Sequence, residues 1–337
     1  MVLGSKHTVS IHDVAARAGV AISSVSRVLA SHPDVSDRMR ERVLRAVEEC
    51  GYQPNFVAQS LRRGTSMSVG FVVGDISNQL MAAIALAAEV RLAQVGYTLL
   101  LSNSQSRPER DLANVQMFKQ RHVDGLLLSL TDEREDHLVE QLRQFDKPAV
   151  LLDRDAGAVG ASKVLFDHGV GFRAATEHLI ALGHTRIGLI AGSVHVRPSR
   201  ERVRAVTSAM TAAGLDGPTI KLGSLSRDHG RIAAEALLSG PRPVSAVICG
   251  GNQLLPGVLS AIAAAGLSVP DDVSLITTDN VDLAEFYRPP LATINRDASA
   301  FGMAAAEALL RRLNGDAADV TALPTSFAAA PSCGPPK

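Results

Sequence analysis

Ile22, Ser23, Ser24, Ser26 and Arg27 crowd into one short segment of the stretch IHDVAARAGVAISSVSRVLA, residues 11–30. Small hydroxyl side chains at a helix N-terminus suit phosphate oxygens, because the first backbone N–H groups there are unpaired and carry partial positive charge. An arginine one turn on is long enough to reach a guanine edge. These residue types offer recognition of duplex DNA rather than bond making. No motif supplies a catalytic alternative: GxGxxG after a strand, GxxxxGK(S/T), HExxH and GxSxG are all absent. The ten His are scattered without ligand spacing, and Cys50, Cys249 and Cys333 form no CxxC pair. No metal, cofactor, catalytic residue or disulfide framework is expected. His184, after the helix-ending Gly183, reads as a structural residue opening the next strand.

The elements that must hold these residues are helical. Ser10-x-x-Asp13 forms a capping box, and Val14, Ala15 and Ala18 make an inner stripe. Gly19 stands where the chain reverses and positive φ is favoured. A second helix from about Ile22 to Leu29 turns Val25, Val28 and Leu29 inward. A third starts after Ser36, repeats Met39, Val43, Ala46, Val47 and Cys50 at helical spacing, and stops at Gly51. The pattern is that of a helix-turn-helix, although its spacing also fits a helical hairpin packed inside an enzyme. Tyr52-Gln53-Pro54 breaks it, Asn55 can cap a short helix over Phe56 to Leu61, and residues 62–66 read as a linker.

From Val69 the texture changes. Apolar runs at 69–73, 98–101, 125–130, 149–152, 164–166, 187–190, 246–249, 273–277 and 291–294 alternate with amphipathic helical segments. Such alternation predicts βαβ units and parallel sheets. The runs are too many for one small sheet, so two doubly wound halves split near residue 165 are expected. A helix from about Ala298 to Leu313 is expected to cross back to the first half, and the Ala/Pro tail after Phe327 to be disordered. The boundaries are 9–53 for the head, 54–66 for hinge and linker, and 67–327 for the core. Within the core, 67–165 with 296–327 form one half and 166–295 the other.

Composition agrees with several domains: 337 residues, 46% hydrophobic and 20% charged. Formal net charge is zero, yet residues 1–64 carry nine Lys/Arg against six Asp/Glu, leaving that head at +3 and the rest at −3. The sign suits a DNA-binding head on a neutral body. The start has no apolar signal region and no apolar run reaches membrane-spanning length, which points to the cytoplasm.

The wording of the chain resembles the LacI/GalR family of bacterial transcription regulators. Ile11-x-Asp13-Val14-Ala15-x-x-Ala18-Gly19-Val20, Ser24-Val25-Ser26-Arg27-Val28-Leu29, Val35-Ser36 and Gly51-Tyr52-x-Pro54-Asn55-x-x-Ala58-x-x-Leu61 carry the resemblance in the head. Arg121-x-Val123-Asp124-Gly125-Leu126, His178-Leu179-Ile180-x-x-Gly183-His184-x-x-Ile187-Gly188, Arg200-Glu201-Arg202, Val269-Pro270-x-Asp272-Val273-Ser274 and Pro289-Pro290-Leu291 continue it through the core. The family implies an N-terminal all-α helix-turn-helix head, a hinge helix, and an α/β core of two doubly wound parallel-sheet subdomains like a periplasmic binding protein. It implies a homodimer, with a tetramer left open, on a palindromic double-stranded operator in the bacterial nucleoid. The function implied is that of a repressor whose operator affinity is set by a small effector.

By position in that family, Ile22, Ser23 and Arg27 fall on base-reading sites. Asn55, Ala58 and Leu61 fall on the hinge helix, with Leu61 at the apolar wedge that kinks DNA. Ala21 replaces a usual capping Ser. Asp279 and Arg200 match effector-cleft residues, Asn252 stands where an Asp is usual, and Asn78 and Asp153 are first-half candidates. Two departures bear on the effector, implied to be a sugar or sugar derivative. Asn78-Gln79-Leu80-Met81 replaces an Asn-Pro-Phe-Phe run, and Leu225 stands where several sugar-binding members carry an aromatic ring. With aromatics at 4% and Trp absent, Arg200, Arg197, His195 and Arg154 favour a sugar acid or sugar phosphate. A solute-binding protein would leave residues 9–62 unexplained, and an enzyme with an appended head would need a catalytic motif.

Overall fold

The computed structural model describes residues 9–29, 32–52, 64–157, 160–279 and 281–337. They fall into two units, 1–66 and 67–337.

The first unit holds α1 (Ile11–Ala18), α2 (Ile22–Leu29) and α3 (Asp37–Cys50). The backbone N–H and Oγ of Ser10 both donate to Asp13 Oδ2 at 2.8 Å, closing the start of α1. Gly19 (φ 62) and Gly51 (φ 63) end α1 and α3 in the left-handed region, where a Cβ is unfavourable. Val14, Ala15, Ala18, Val25, Val28, Val43 and Ala46 form the core. Small Val and Ala side chains fill its centre, and Ile11, Leu29, Met39 and Tyr52 pack half-buried around them, a modest core for a unit of this size. The expected hinge helix, with Asn55, Ala58 and Leu61, lies outside the described residues.

The second unit runs β1 (Ser68–Val73), α4 (Gln79–Ala93), β2 (Thr98–Asn103), α5 (Pro108–Gln120), β3 (Gly125–Leu128), α6 (Asp136–Arg143), β4 (Ala149–Leu152) and β5 (Ser162–Asp167). It continues through α7 (His168–Ala181), β6 (Ile187–Ala191), α8 (Arg197–Ala212), β7 (Thr219–Leu222), α9 (Arg227–Leu238), β8 (Ala246–Gly250) and α10 (Leu255–Ala264). It ends with β9 (Ser274–Thr278), α11 (Asp282–Phe286), β10 (Ala292–Asn295), α12 (Ala298–Leu313), β11 (Val320–Pro324) and β12 (Ser326–Ala328). Two six-stranded sheets result, ordered β11-β5-β4-β3-β1-β2 and β12-β10-β9-β8-β6-β7. Every pairing is parallel except β10 with β12. The inner strands β3, β6, β8 and β9 are buried throughout, and all but β9, which carries Ser274, Thr277 and Thr278, read as unbroken apolar runs.

The chain passes between the sheets at β5–α7, β10–α12 and β11–β12. Three strands lack a counterpart in the apolar runs: β7, β11 and β12. Each is an edge strand, half solvated and so free to carry Lys221, Thr321 or Ser326. The tail is not disordered as its composition suggested. Ser332 is fully buried, donates to Leu275 O at 2.7 Å and accepts from Ala292 N at 2.8 Å. Those bonds satisfy backbone groups of the second sheet, which overrides the Ala/Pro bias of the segment. Among the described residues, no helix is long and apolar enough to cross a membrane.

Candidate functional site

On α2 the apolar stripe Val25 and Val28 faces inward. Ile22, Ser23 and Arg27 are thereby exposed, while Ser24 and Ser26 are half-buried. Ala21 O accepts from Ser24 N at 2.9 Å and from Val25 N at 3.2 Å, so backbone alone starts this helix. Arg27 lies 3.7 Å from Asp34, both well exposed. Such a surface pair is weak enough to release the guanidinium to another anion.

In the second unit the carboxyl ends of the strands meet across a cleft, the usual binding place in doubly wound folds. The free volume inside the cleft is about 100 Å³, below the usual range of small-molecule sites, so in this arrangement the halves are drawn together. Asn78, Asp153, Arg154, Arg202, Asn252 and Arg296 are among its polar lining. Asn78 caps α4, its Oδ1 accepting from Leu80 N at 3.0 Å. Asn252 Nδ2 donates to that same oxygen across the cleft at 3.1 Å, and Gln253 Nε2 donates to Asp75 at 2.7 Å. The rim is clasped too, by Arg200 on the buried Glu133 and by His195 with Asp132 at 3.2 Å.

Asp153 follows β4 at φ 55, with its carboxylate buried. It accepts from Phe166 N at 3.2 Å and Arg197 Nη1 at 3.1 Å, and shares a 2.8 Å bond with His168 Nε2. Burial pushes this carboxyl up, but His168, Arg154 and Arg197 outweigh that and hold it well below the usual range. Burial likewise dominates at His168, lowering it from 6.5 to about 4 despite Asp153. At neutral pH the imidazole is therefore neutral.

The two groups set different pH windows. An unfolded chain binds the His168 proton at higher pH than the folded one. Its contribution is whole above pH 6.5 and declines toward pH 4, a loss on the order of 1–3 kcal/mol. The contribution of Asp153, whose folded value is depressed, is lost only below about pH 4. Urea midpoints between those limits should fall with pH, and His168→Gln should flatten the fall. An unchanged slope in the variant would assign the effect to other groups.

Two predicted positions sit differently from expectation. Arg200 does not line the cleft. It holds Glu133 and donates to Val194 O at 2.9 Å. The arginine that enters is Arg202. The buried stripe of α8 is Pro198, Ser199, Arg202, Ala205, Val206, Ala209 and Met210. Helical spacing thus puts Arg202 inside and Arg200 outside, a signal present in the sequence but not used. Asp279 (φ 63) is buried, but Arg296 grips it through Nε–Oδ1 at 2.9 Å and Nη2–Oδ2 at 2.5 Å. Arg296, not Asp279, is the cleft-lining member of that pair. His184 ties Ser245 Oγ at 2.8 Å, Ser274 Oγ at 3.0 Å and Gly334 O at 2.8 Å. Among the described residues, no three His, Cys, Asp or Glu side chains group to hold a metal.

The family described as "Bacterial regulatory proteins, lacI family" matches residues 10–55, and a "Periplasmic binding protein-like domain" matches residues 176–327. The transcriptional repressor PurR of Vibrio vulnificus (strain CMCP6) is 32% identical over 311 residues, covering 90% of this chain and 92% of that protein. PurR of Actinobacillus pleuropneumoniae serotype 3 (strain JL03) is 33% identical over 309 residues, with 91% and 92% covered. Among solved structures, the Lac repressor dimer bound to operator and the anti-inducer ONPF superimposes with a TM-score of 0.86 at 28% identity, covering 96% of this chain and 98% of that one. The regulator CelR in complex with cellobiose gives 0.74 at 29% identity, with 96% and 99% covered. An exposed helix-turn-helix, a two-halved core with a polar cleft, and these relatives along nearly the whole chain lead to one statement: the chain belongs to the LacI family, and is a DNA-binding transcriptional repressor with an effector-binding core, not an enzyme.

Proposed function

We propose that this chain binds a palindromic operator as a homodimer in the cytoplasm, and that a small polar metabolite, a sugar or sugar derivative, held in the core cleft sets its operator affinity. The observation that carries the reading is the cross-cleft clasp. Asn78 with Asn252, and Asp75 with Gln253, join the halves through groups that a ligand can take over. A ligand that exchanges those bonds for its own favours one arrangement of the halves, and its leverage equals its differential affinity for the two. The related Lac repressor and CelR structures, one on operator and one with cellobiose, support both halves of the reading.

In this reading α2 enters the major groove with Ile22, Ser23 and Arg27 toward base edges and Ser24 and Ser26 toward phosphates. Asn55, Ala58 and Leu61, which lie outside the described residues, supply further DNA contacts. Leu61 wedges the minor groove. Selection from a random DNA pool should return an inverted repeat. Arg27→Ala should then cost about 1–3 kcal/mol at one or two symmetric positions only. Selection without dyad symmetry would overturn the dimeric reading. Equal loss on every sequence would make Arg27 a phosphate contact.

A further inference from the structure

The outer face of α8 carries a second hollow, apart from the cleft. Arg200, Val203, Arg204, Thr207 and Ser208 recur at three- and four-residue spacing and so share one stripe of that helix. The stripe faces outward, because the buried one runs through Arg202, Ala205, Val206 and Ala209. Leu222, from the edge strand β7, and Val194, from the segment between β6 and α8, complete the lining of a groove. Its free volume is about 330 Å³, within the range of small-molecule sites, against about 100 Å³ in the cleft. From Arg200 to Ser208 the stripe runs about 12 Å along the helix.

The floor is apolar. Val203 and Leu222 rest partly on the core of the second half, and Val194 is 45% exposed. The charge is of one sign: two arginines line the groove, and among the described residues no acid does. Arg200 and Arg204 stand one helical turn apart, where like charges repel. They are not equally committed. Arg200 grips the buried Glu133 across the cleft rim and donates to Val194 O at 2.9 Å. Arg204 pairs with Glu201 of its own helix, and its side chain is 73% exposed. Such a surface pair contributes little and yields readily to another anion.

This inequality sets the charge of the occupant. A single carboxylate can take Arg204 from Glu201 at small cost. A dianion would call on Arg200 as well, and that would leave Glu133 buried without its cation. A neutral occupant would leave the repulsion between the two arginines in place. We propose that the groove is a binding site for a short apolar monocarboxylate, with its carboxylate on Arg204 and its body over Val194, Val203 and Leu222. Thr207 and Ser208 close the end one turn beyond Arg204. The site is separate from the cleft, so it stands or falls independently of the effector reading above. An aliphatic and an aromatic acid share this recognition chemistry.

The full-length chain should be titrated, by calorimetry and by ligand-observed saturation-transfer NMR, with hexanoate and hydrocinnamate, the amides of both, acetate and inorganic phosphate. At least one of the two acids should bind saturably, and which one does so tells an aliphatic body from an aromatic one. Its amide, acetate and phosphate should each bind at least roughly tenfold more weakly, the amide for want of charge and the others for want of apolar area. Arg204→Glu should weaken the acid at least roughly tenfold. Ser208→Glu, which offers Arg204 a carboxylate one turn away, should also weaken it. Both positions are exposed, and thermal unfolding checks that the variants keep the fold. Lack of saturable binding by both acids overturns the proposal, as does an amide, acetate or phosphate that binds as tightly as the acid. Undiminished binding to Arg204→Glu puts the acid elsewhere and overturns it too.

Discussion

Replacing Asp153 by Ala is expected to destabilise the core by about 3–5 kcal/mol. The carboxylate sits where β4 ends and the two halves face each other. It binds His168 from the crossover helix and Arg197 from α8. Removing it takes from Arg197 its ion-pair partner, leaves Arg154 to the weaker pull of Glu133 and Asp111, and leaves Phe166 N without its acceptor. The backbone adds to the loss. At φ 55 an Asp or Asn is tolerated far better than an Ala. Asp153→Asn keeps the backbone preference and an acceptor oxygen, so it should lose less than the Ala variant. Urea unfolding at neutral pH would read both, as a lower midpoint at unchanged slope. An Asn variant as stable as the wild type would show that the negative charge is dispensable.

Gly257→Ala is expected to cost about 3 kcal/mol or more, the upper range for overpacking. A Cβ at this position would stand 1.9 Å from Arg227 O and 2.6 Å from Arg231 N. Both are backbone atoms of α9, so no side chain can rotate away. Separating α9 from α10 would open the cluster of Ala233, Leu237, Leu254, Leu255 and Val258. A Cβ at Gly230 of α9 would likewise stand 2.3 Å from Leu254 O. Thermal unfolding should show a drop of many degrees for Gly257→Ala. Gly217→Ala is the control, because nothing lies within 4 Å of its added Cβ. Equal melting temperatures for the two variants would mean that the helices part freely.

These two expectations concern different levels of the structure, and so did the legibility of the chain. The head was readable nearly to the residue. Ser10, Asp13, Gly19, Ser36 and Gly51 act within one helical turn, and capping is a local bond. The inner strands were readable because burial on both faces leaves an unbroken apolar run. The edge strands β7, β11 and β12 were not, since one side of each is solvated and the pattern dissolves. The tail misled for a related reason. Its composition favours disorder, but the buried Ser332 gives the second sheet two bonds that it would otherwise lack.

In the cleft the division is sharper. Residue types and helical spacing already hold that the core carries many arginines and few aromatic rings, and that Arg202 shares a stripe with Ser199 and Ala205. Which arginine meets which acid is a tertiary property. Arg200 meets Glu133, Arg197 meets Asp153 and Arg296 meets Asp279 through pairings 67, 44 and 17 residues apart along the chain. Charge compensation depends on distances that only folding creates. Arg202 touches Gly250 O and Phe172 directly and meets Asp153 and Asp279 only at longer range.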